Sequence, residues 1–95
     1  MALTVVHHPG YTIDLPASHP FPMEKFRILR QQLGEQPLAT AIEWQMPKPA
    51  SIETLALVHT RAYLDAFLHG KLERAAERRS GFEWSDALVE RVRLE

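Results

Sequence analysis

The sequence predicts an α/β domain in which two short strands alternate with three to four helices. Residues 3–7 are an apolar, β-branched run, and residues 41–46 alternate between apolar and polar side chains, so both segments are typical of strands. Between and after them, apolar residues recur at helical spacing and are framed by helix-capping residues. The length of 95 residues leaves no room for two domains, so the chain is predicted to be one small domain or part of a larger one.

Composition excludes several classes of protein. Hydrophobic residues make up 45% of the chain and charged residues 24%, which is typical of a globular domain and unlike a disordered segment. Eleven basic and twelve acidic residues leave a net charge of -1, so we expect no nucleic-acid partner and no membrane partner. The lack of cysteine excludes disulfides and thiolate zinc sites. No apolar run could span a bilayer and no secretory signal opens the sequence, so we expect a cytoplasmic protein.

The first strand leads into a long loop. Residues 3–7 are expected to be a buried strand, because the run is apolar on both faces. Residues 8–22 carry five breakers of regular structure, which predict an irregular, shaped loop: Pro9, Gly10, Pro16, Pro20 and Pro22. Loops of this length in compact domains are often functional.

A helix and the second strand come next. Pro22 suits the first turn of the helix and Gly34 suits its C-terminal cap. The inward stripe of this helix is predicted to contain Met23, Phe26, Leu29 and Leu33. The strand at residues 41–46 is predicted to have one apolar face and one polar face, with Ile42, Trp44 and Met46 on the apolar side.

Capping residues predict the remaining helices. Ser51, Thr60 and Ser85 can each accept a hydrogen bond from a free amide in a first turn. Gly70 suits the end of the middle helix, and the charged residues 71–79 are expected to form a solvated face. In the helix after Ser51, the inward residues are predicted to be Ile52, Leu55 and Val58. In the helix after Ser85, they are predicted to be Leu88 and Val92. Tyr63 follows His59 by one turn, so the two rings are expected to stack.

The residues that could carry chemistry form no self-sufficient catalytic set. His7 and His8 are adjacent on a strand and point to opposite faces, so they do not readily converge on one metal. His19 is either a turn residue bonded to the backbone or a pocket-lining residue. Lys25 is either a solvated side chain at a helix start or part of a pocket floor. We therefore predict no catalytic and no metal-binding residue in this chain.

Three segments in register resemble one known family. Residues 19–27 read His-Pro-Phe-Pro-Met-Glu-Lys-Phe-Arg. Residues 47–63 carry a spaced pattern, which consists of Pro47, Ala50, Glu53, Leu55, Val58, His59 and Tyr63. Residues 77–85 read Glu-Arg-Arg-Ser-Gly-Phe-Glu-Trp-Ser. Together they are similar to the N-terminal third of the bacterial histone-deacetylase-like proteins, which include acetoin-utilisation and acetylpolyamine deacetylases. The resemblance covers essentially the whole chain.

This resemblance implies a fold, a cofactor and a substrate class. Residues 1–95 would form a single partial domain, the N-terminal part of a three-layer α/β/α arginase/deacetylase-like arrangement. The zinc of the parent family would be held by two aspartates and a histidine downstream, with none bound by this segment, and the substrate would be an acetylated amine. Lys25 would line the cavity beneath the zinc, although a one-residue shift would place Phe26 there. The loop of residues 8–22, with His19, would form part of the rim and wall of the substrate tunnel.

Two other interpretations remain open from the sequence. One is a stand-alone interaction module that self-associates or docks on a longer relative, and the other is a histidine-based metal binder. Two strands are too few for a stable sheet, and the stripe with Leu88 and Val92 needs a partner. We therefore expect a homo-dimer or a higher oligomer.

Overall fold

The computed structural model describes residues 2–95 and shows a mixed α/β architecture. The strands β1 (Leu3–Val6) and β2 (Ile42–Gln45) pair in parallel, with Leu3 opposite Ile42 and Val6 opposite Gln45. Five α-helices lie within the described residues: α1 (Lys25–Glu35), α2 (Ile52–Leu55), α3 (Arg61–Leu68), α4 (Arg74–Ser80) and α5 (Asp86–Leu94). Two 3₁₀ turns, Pro9–Tyr11 and Pro37–Ala41, flank α1 in sequence. The predicted α/β class is confirmed.

The helix count exceeds the three to four that were predicted. The additional helix is α4, which forms within the charged stretch that was expected to be a solvated face, and most of its residues are exposed. Gly81 ends it with a φ of 80°, a left-handed conformation that glycine adopts without steric cost. None of the helices formed by residues 2–95 is both long enough and apolar enough to cross a bilayer.

The first strand is more exposed than its sequence predicts. Leu3 is 64% exposed and Val6 is 52% exposed, so the expectation of a buried strand is wrong for this structure. The reason is that the sheet formed by the described residues has two strands, so β1 has a neighbour along one edge. The alternation in β2 is confirmed for Ile42 and Trp44, which are half-buried between exposed Glu43 and Gln45.

The boundaries of α1 differ from the prediction at both ends. Turns occupy the residues around Pro22, and the helix begins three residues later at Lys25. At the other end Gly34 stays helical, and the extended residue Gln36 ends the helix with a ψ of 155°. Pro37 accounts for this end, because a proline disfavours the helical conformation in the residue before it.

The predicted N-caps are confirmed. The side chains of Ser51, Thr60 and Ser85 accept hydrogen bonds from the amides of Thr54, Tyr63 and Leu88 at 3.2, 3.2 and 3.0 Å. Each bond satisfies one of the amides that a helix start leaves without an intrahelical partner. Gly70 follows the end of α3 with a φ of 68°, as its sequence position predicts.

The buried core lies around α5. Four apolar residues are at most 5% exposed: Met23, Leu64, Leu88 and Leu94. The helix α5 packs against the Pro9–Tyr11 turn and against α3. Its inward face carries Leu88, Arg91 and Leu94, whereas Val92 is 39% exposed, so the predicted stripe of Leu88 and Val92 is half wrong.

The prediction of inward-facing residues is also partly wrong for the segment after α2. Leu55 is half-buried, but Val58 is 80% exposed and does not belong to the core. The helix α2 has only four residues, and the chain leaves helical geometry in a series of turns before Val58. Because α2 ends before Val58, helical spacing wrongly predicts that the Val58 side chain faces the core. The predicted stacking of His59 and Tyr63 is confirmed, with ring centroids 5.3 Å apart.

Candidate functional site

The loop of residues 8–22 is held in place by the C-terminal third of the chain. The Pro9–Tyr11 turn packs on α5, and the Tyr11 hydroxyl donates to the Leu94 carbonyl at 3.5 Å. Farther along the loop, His19 contacts the segment between α4 and α5. The loop is thus irregular, as predicted, but anchored at both ends.

His19 uses both ring nitrogens in this anchoring. Its Nδ1 accepts the Phe21 amide at 3.1 Å, so Nδ1 carries no proton and Nε2 is the donor. Nε2 then donates to the Gly81 carbonyl at 2.8 Å, and the ring stacks on Phe82 with centroids 5.3 Å apart. This is the backbone-bonded turn residue of the first interpretation. The ring also borders a surface recess of about 340 Å³ shared with Leu15 and Glu83.

Lys25 is the first residue of α1 and its side chain is exposed. Its Nζ lies 5.0 Å from the centroid of the Phe21 ring and 5.2 Å from that of Phe26, within the range of cation–π attraction. The structure brings Lys25 and His19 into one aromatic cluster, because Phe21 contacts both Phe26 and Phe82.

An extended aromatic row connects this cluster to the sheet. Ring centroids of successive neighbours are 5.3–6.4 Å apart along the row of Trp44, His7, Tyr11, Phe26, Phe21, Phe82 and His19. Such separations and tilts are those that aromatic pairs prefer. The row therefore connects β2, the loop of residues 8–22, α1 and the segment between α4 and α5.

Arg91 is the principal residue that sequence reasoning missed. It is 7% exposed, and its Nε donates to the Tyr11 carbonyl at 2.7 Å. Its guanidinium also forms an ion pair with Glu95 and lies against the rings of Phe21 and Phe26. The available signal was its position three residues from both Leu88 and Leu94, which places it on their face of the helix.

His7 and His8 are separated by their environments. The Nδ1 atom of His8 accepts the Gly10 amide at 2.8 Å, whereas His7 contacts the Trp44 and Tyr11 rings edge-on. Burial lowers the pKa of His7 below its usual 6.5, and electrostatic interactions with Arg30 and with His8 lower it further. Among residues 2–95, no three His, Cys, Asp or Glu side chains are grouped so that they could hold a metal ion.

The lowered pKa of His7 predicts a loss of stability in mild acid. Because the folded state binds a proton at His7 less readily than the unfolded state, the stabilisation is present above about pH 6.5 and is lost as pH falls through the folded pKa. Wild type should therefore lose more free energy of unfolding between about pH 7.5 and pH 5 than His7→Gln. Urea unfolding followed by circular dichroism measures the difference. Because both proteins keep the other histidines, equal losses would contradict the assignment.

A cleft opens between the sheet and α1. It has a volume of about 390 Å³ and is lined mainly by apolar side chains: Val5, Val6, His7, Tyr11, Phe26, Leu29, Arg30, Leu33, Trp44 and Glu95. Three residues of the predicted stripe line this space, Phe26, Leu29 and Leu33, yet Leu29 remains 56% exposed. At one side the Arg30 guanidinium carbon lies 3.6 Å from the centroid of the Trp44 ring. The helix and the sheet are thus adjacent layers with unfilled space between them.

Comparison with known proteins finds a relative of this chain but does not assign it to a family. No protein-family model matches the chain. An uncharacterized protein of Picosynechococcus sp. is 37% identical over 92 residues, which cover 97% of this chain. The chain spans 31% of that relative, or about a third of its length. The relative therefore shows that a related protein is much longer than the matched segment, and it gives no information on activity.

Proposed function

We propose that the chain is the N-terminal portion of a zinc-dependent deacetylase that hydrolyses acetyl-amide bonds of the acetyl-lysine or acetylpolyamine type. The observation that carries the proposal is the resemblance of three segments, in order and in register, across residues 19–85. The relative that continues well beyond the matched length supports it, because the family's catalytic residues would lie outside such a segment.

The finer fold assignment belongs to the same proposal. A three-layer arginase/deacetylase-like domain is built on a mostly parallel sheet, and β1 and β2 pair in parallel. The exposure of Leu3 and Val6 also supports it, because an apolar strand is expected to acquire neighbours in a larger sheet. The open cleft beside α1 is space that a larger domain would fill.

In this proposal the chain supplies structure to the substrate path and no metal ligand. The side chains of residues 2–95 do not fit a zinc site, because they contain no suitable group of ligands. The loop of residues 8–22 forms part of the tunnel wall, with Lys25 and His19 as its lining residues. The bonds of His19 to Gly81 and to the Phe21 amide support this role, because they fix the shape of the loop.

The test is a chimaera with the Picosynechococcus relative. The matched 92 residues of that protein are replaced by this chain, and both proteins are assayed for bound zinc and for hydrolysis of an acetyl-lysine peptide and an N-acetylpolyamine. We expect both to bind zinc and to hydrolyse at least one substrate, with the chimaera within roughly tenfold of its parent. A hydroxamate should inhibit both, because it competes for the metal.

The controls separate the parts of this proposal. The 95-residue chain alone should show no turnover, because residues 2–95 bring together no group of metal ligands that could activate water. In the chimaera Lys25→Ala should lower turnover, whereas Lys48→Ala, at an exposed position outside the aromatic cluster, should not. A parent protein that neither binds zinc nor hydrolyses either substrate would refute the function. An active parent with a folded but inactive chimaera would refute it for this chain.

The second candidate is an interaction module, and specific exposed side chains favour it. Besides the residues of β1, Leu57 is 83% exposed and Val58 is 80% exposed, which is unusual for adjacent apolar residues. In this alternative the chain associates with a second copy of itself or docks on a longer relative. Sedimentation measurements, described in the Discussion, test whether the chain self-associates and through which surface.

A further inference from the structure

Arg91 is a buried charge that contacts its helix neighbour Glu95 and three residues from the opposite end of the chain. A charged group at 7% exposure requires compensation, because its desolvation is otherwise costly. Its Nε donates to the carbonyl of Tyr11, 80 residues away, at 2.7 Å, and its NH1 pairs with the Glu95 carboxylate. The guanidinium carbon lies 5.7 Å from the Phe21 centroid and 5.2 Å from the Phe26 centroid.

The three distant partners lie at the two ends of the loop of residues 8–22 and at the start of α1. Tyr11 lies near the start of the loop, Phe21 lies near its end, and Phe26 follows in α1. A guanidinium is planar and rigid, so one group can donate hydrogen bonds from its edge while its body lies against aromatic rings. Lysine has a point charge on a flexible stem and cannot reproduce both contacts with the same geometry.

The same two rings also hold Lys25. Its Nζ lies 5.0 Å from the Phe21 centroid and 5.2 Å from the Phe26 centroid, so two cations share one pair of rings. The rings themselves stack, with centroids 6.4 Å apart and an interplanar angle of 26°. The buried Arg91 is the better anchored of the two cations, because Lys25 is exposed.

We propose that Arg91 is a positioning residue, which fixes the loop and the Phe21–Phe26 pair and thereby sets the place of the Lys25 ammonium group. The relevance of this position to deacetylation rests on the proposed function. The positioning itself concerns only contacts within this chain, so it can be tested without any enzymatic activity.

Competitive labelling of amines reports the environment of the Lys25 amine. The 95-residue chain is treated with a trace of acetic anhydride, and mass spectrometry compares Lys25 with the other two lysines, Lys48 and Lys71. Arg91→Ala should raise labelling of Lys25 relative to these references by about two- to fivefold, the factor of an exposed cation–π contact. Arg91→Lys should restore the wild-type ratio only in part.

Arg93 provides the matched control on the same helix. Its Nε and NH2 donate to the Ala50 carbonyl at 2.9 and 2.7 Å, so Arg93→Ala loosens α5 away from the rings. It should leave the Lys25 ratio unchanged. Hydrogen exchange should accelerate at the Phe21 and Met23 amides in Arg91→Ala, while the His7 amide, bonded to the Gln45 carbonyl, keeps its protection.

Three outcomes would overturn the positioning role. These are an unchanged Lys25 ratio in Arg91→Ala, the same change in Arg93→Ala, or a uniform loss of protection in both Arg91 variants. In an active chimaera, Arg91→Ala should raise KM more than it lowers kcat, because the wall of the substrate path would be displaced. If the chimaera were inactive while the Lys25 ratio changed as expected, the proposed function would fail and the positioning role would stand.

Discussion

Leu64→Ala is expected to lower the free energy of unfolding by about 2–5 kcal/mol, because it empties the volume of a fully packed leucine. Leu64 is 3% exposed and is the buried residue of α3, which packs against α5. Natural domains are stable by only about 5–15 kcal/mol, so the loss is a large fraction of the total. Urea unfolding followed by circular dichroism, at low protein concentration, measures the change.

Val58→Ala is the matched control for this prediction. Val58 is 80% exposed, so its truncation should change the free energy of unfolding by less than about 0.5 kcal/mol. The pair also tests the helical phase, because the sequence pattern predicted that Val58 would be in the core. A large loss for Val58→Ala together with a small loss for Leu64→Ala would mean that Val58 is in the core, as the sequence pattern predicted, and that Leu64 is not.

We also propose that the isolated chain forms a dimer through the free edge of β1. Leu3 and Val6 are 64% and 52% exposed on a strand that has one neighbour in the sheet formed by residues 2–95. Unpaired backbone groups on an apolar edge favour pairing with another strand, and two copies can pair symmetrically about a two-fold axis. Sedimentation velocity should show the weight-average mass rising from monomer towards dimer as concentration increases.

Val6→Lys tests which surface is used. A lysine on an edge strand opposes pairing, because two like charges would meet across the interface. We expect the dissociation constant to rise by at least about tenfold. Val58→Ser removes an apolar side chain outside the sheet and should leave the dimer intact. A folded monomer at high micromolar concentration would contradict the proposal, and loss of the dimer only in Val58→Ser would move the interface to the turns after α2.

The candidate site was predicted in part. The sequence singled out the loop of residues 8–22, His19 and Lys25, and it left a backbone-bonded role for His19 as one of two interpretations. It did not predict that His19 bonds to Gly81, because no local pattern connects residues 62 positions apart. It also passed over Arg91, because a charged residue on a helix is usually solvated and only packing reveals that it is buried.

Local features of the fold were determined by the sequence itself. The caps at Ser51, Thr60 and Ser85 and the left-handed glycines Gly70 and Gly81 depend on atoms within a few residues of one another. Because these contacts are local, residue type and spacing predicted the three caps and the end of α3 at Gly70. The same reasoning failed at Gly34, because Pro37 determines where α1 ends.

Only the tertiary structure decided which helix faces are buried. On α5 the choice between Val92 and Arg91 depends on where Tyr11, Phe21 and Phe26 lie, and these residues come from the opposite end of the chain. Hydropathy favours Val92, but the Tyr11 carbonyl, Glu95 and two aromatic rings together offset the desolvation of the guanidinium. Whether a side chain is buried thus depends on the residues that the fold packs against it. The hydropathy pattern of a single helix does not identify those residues.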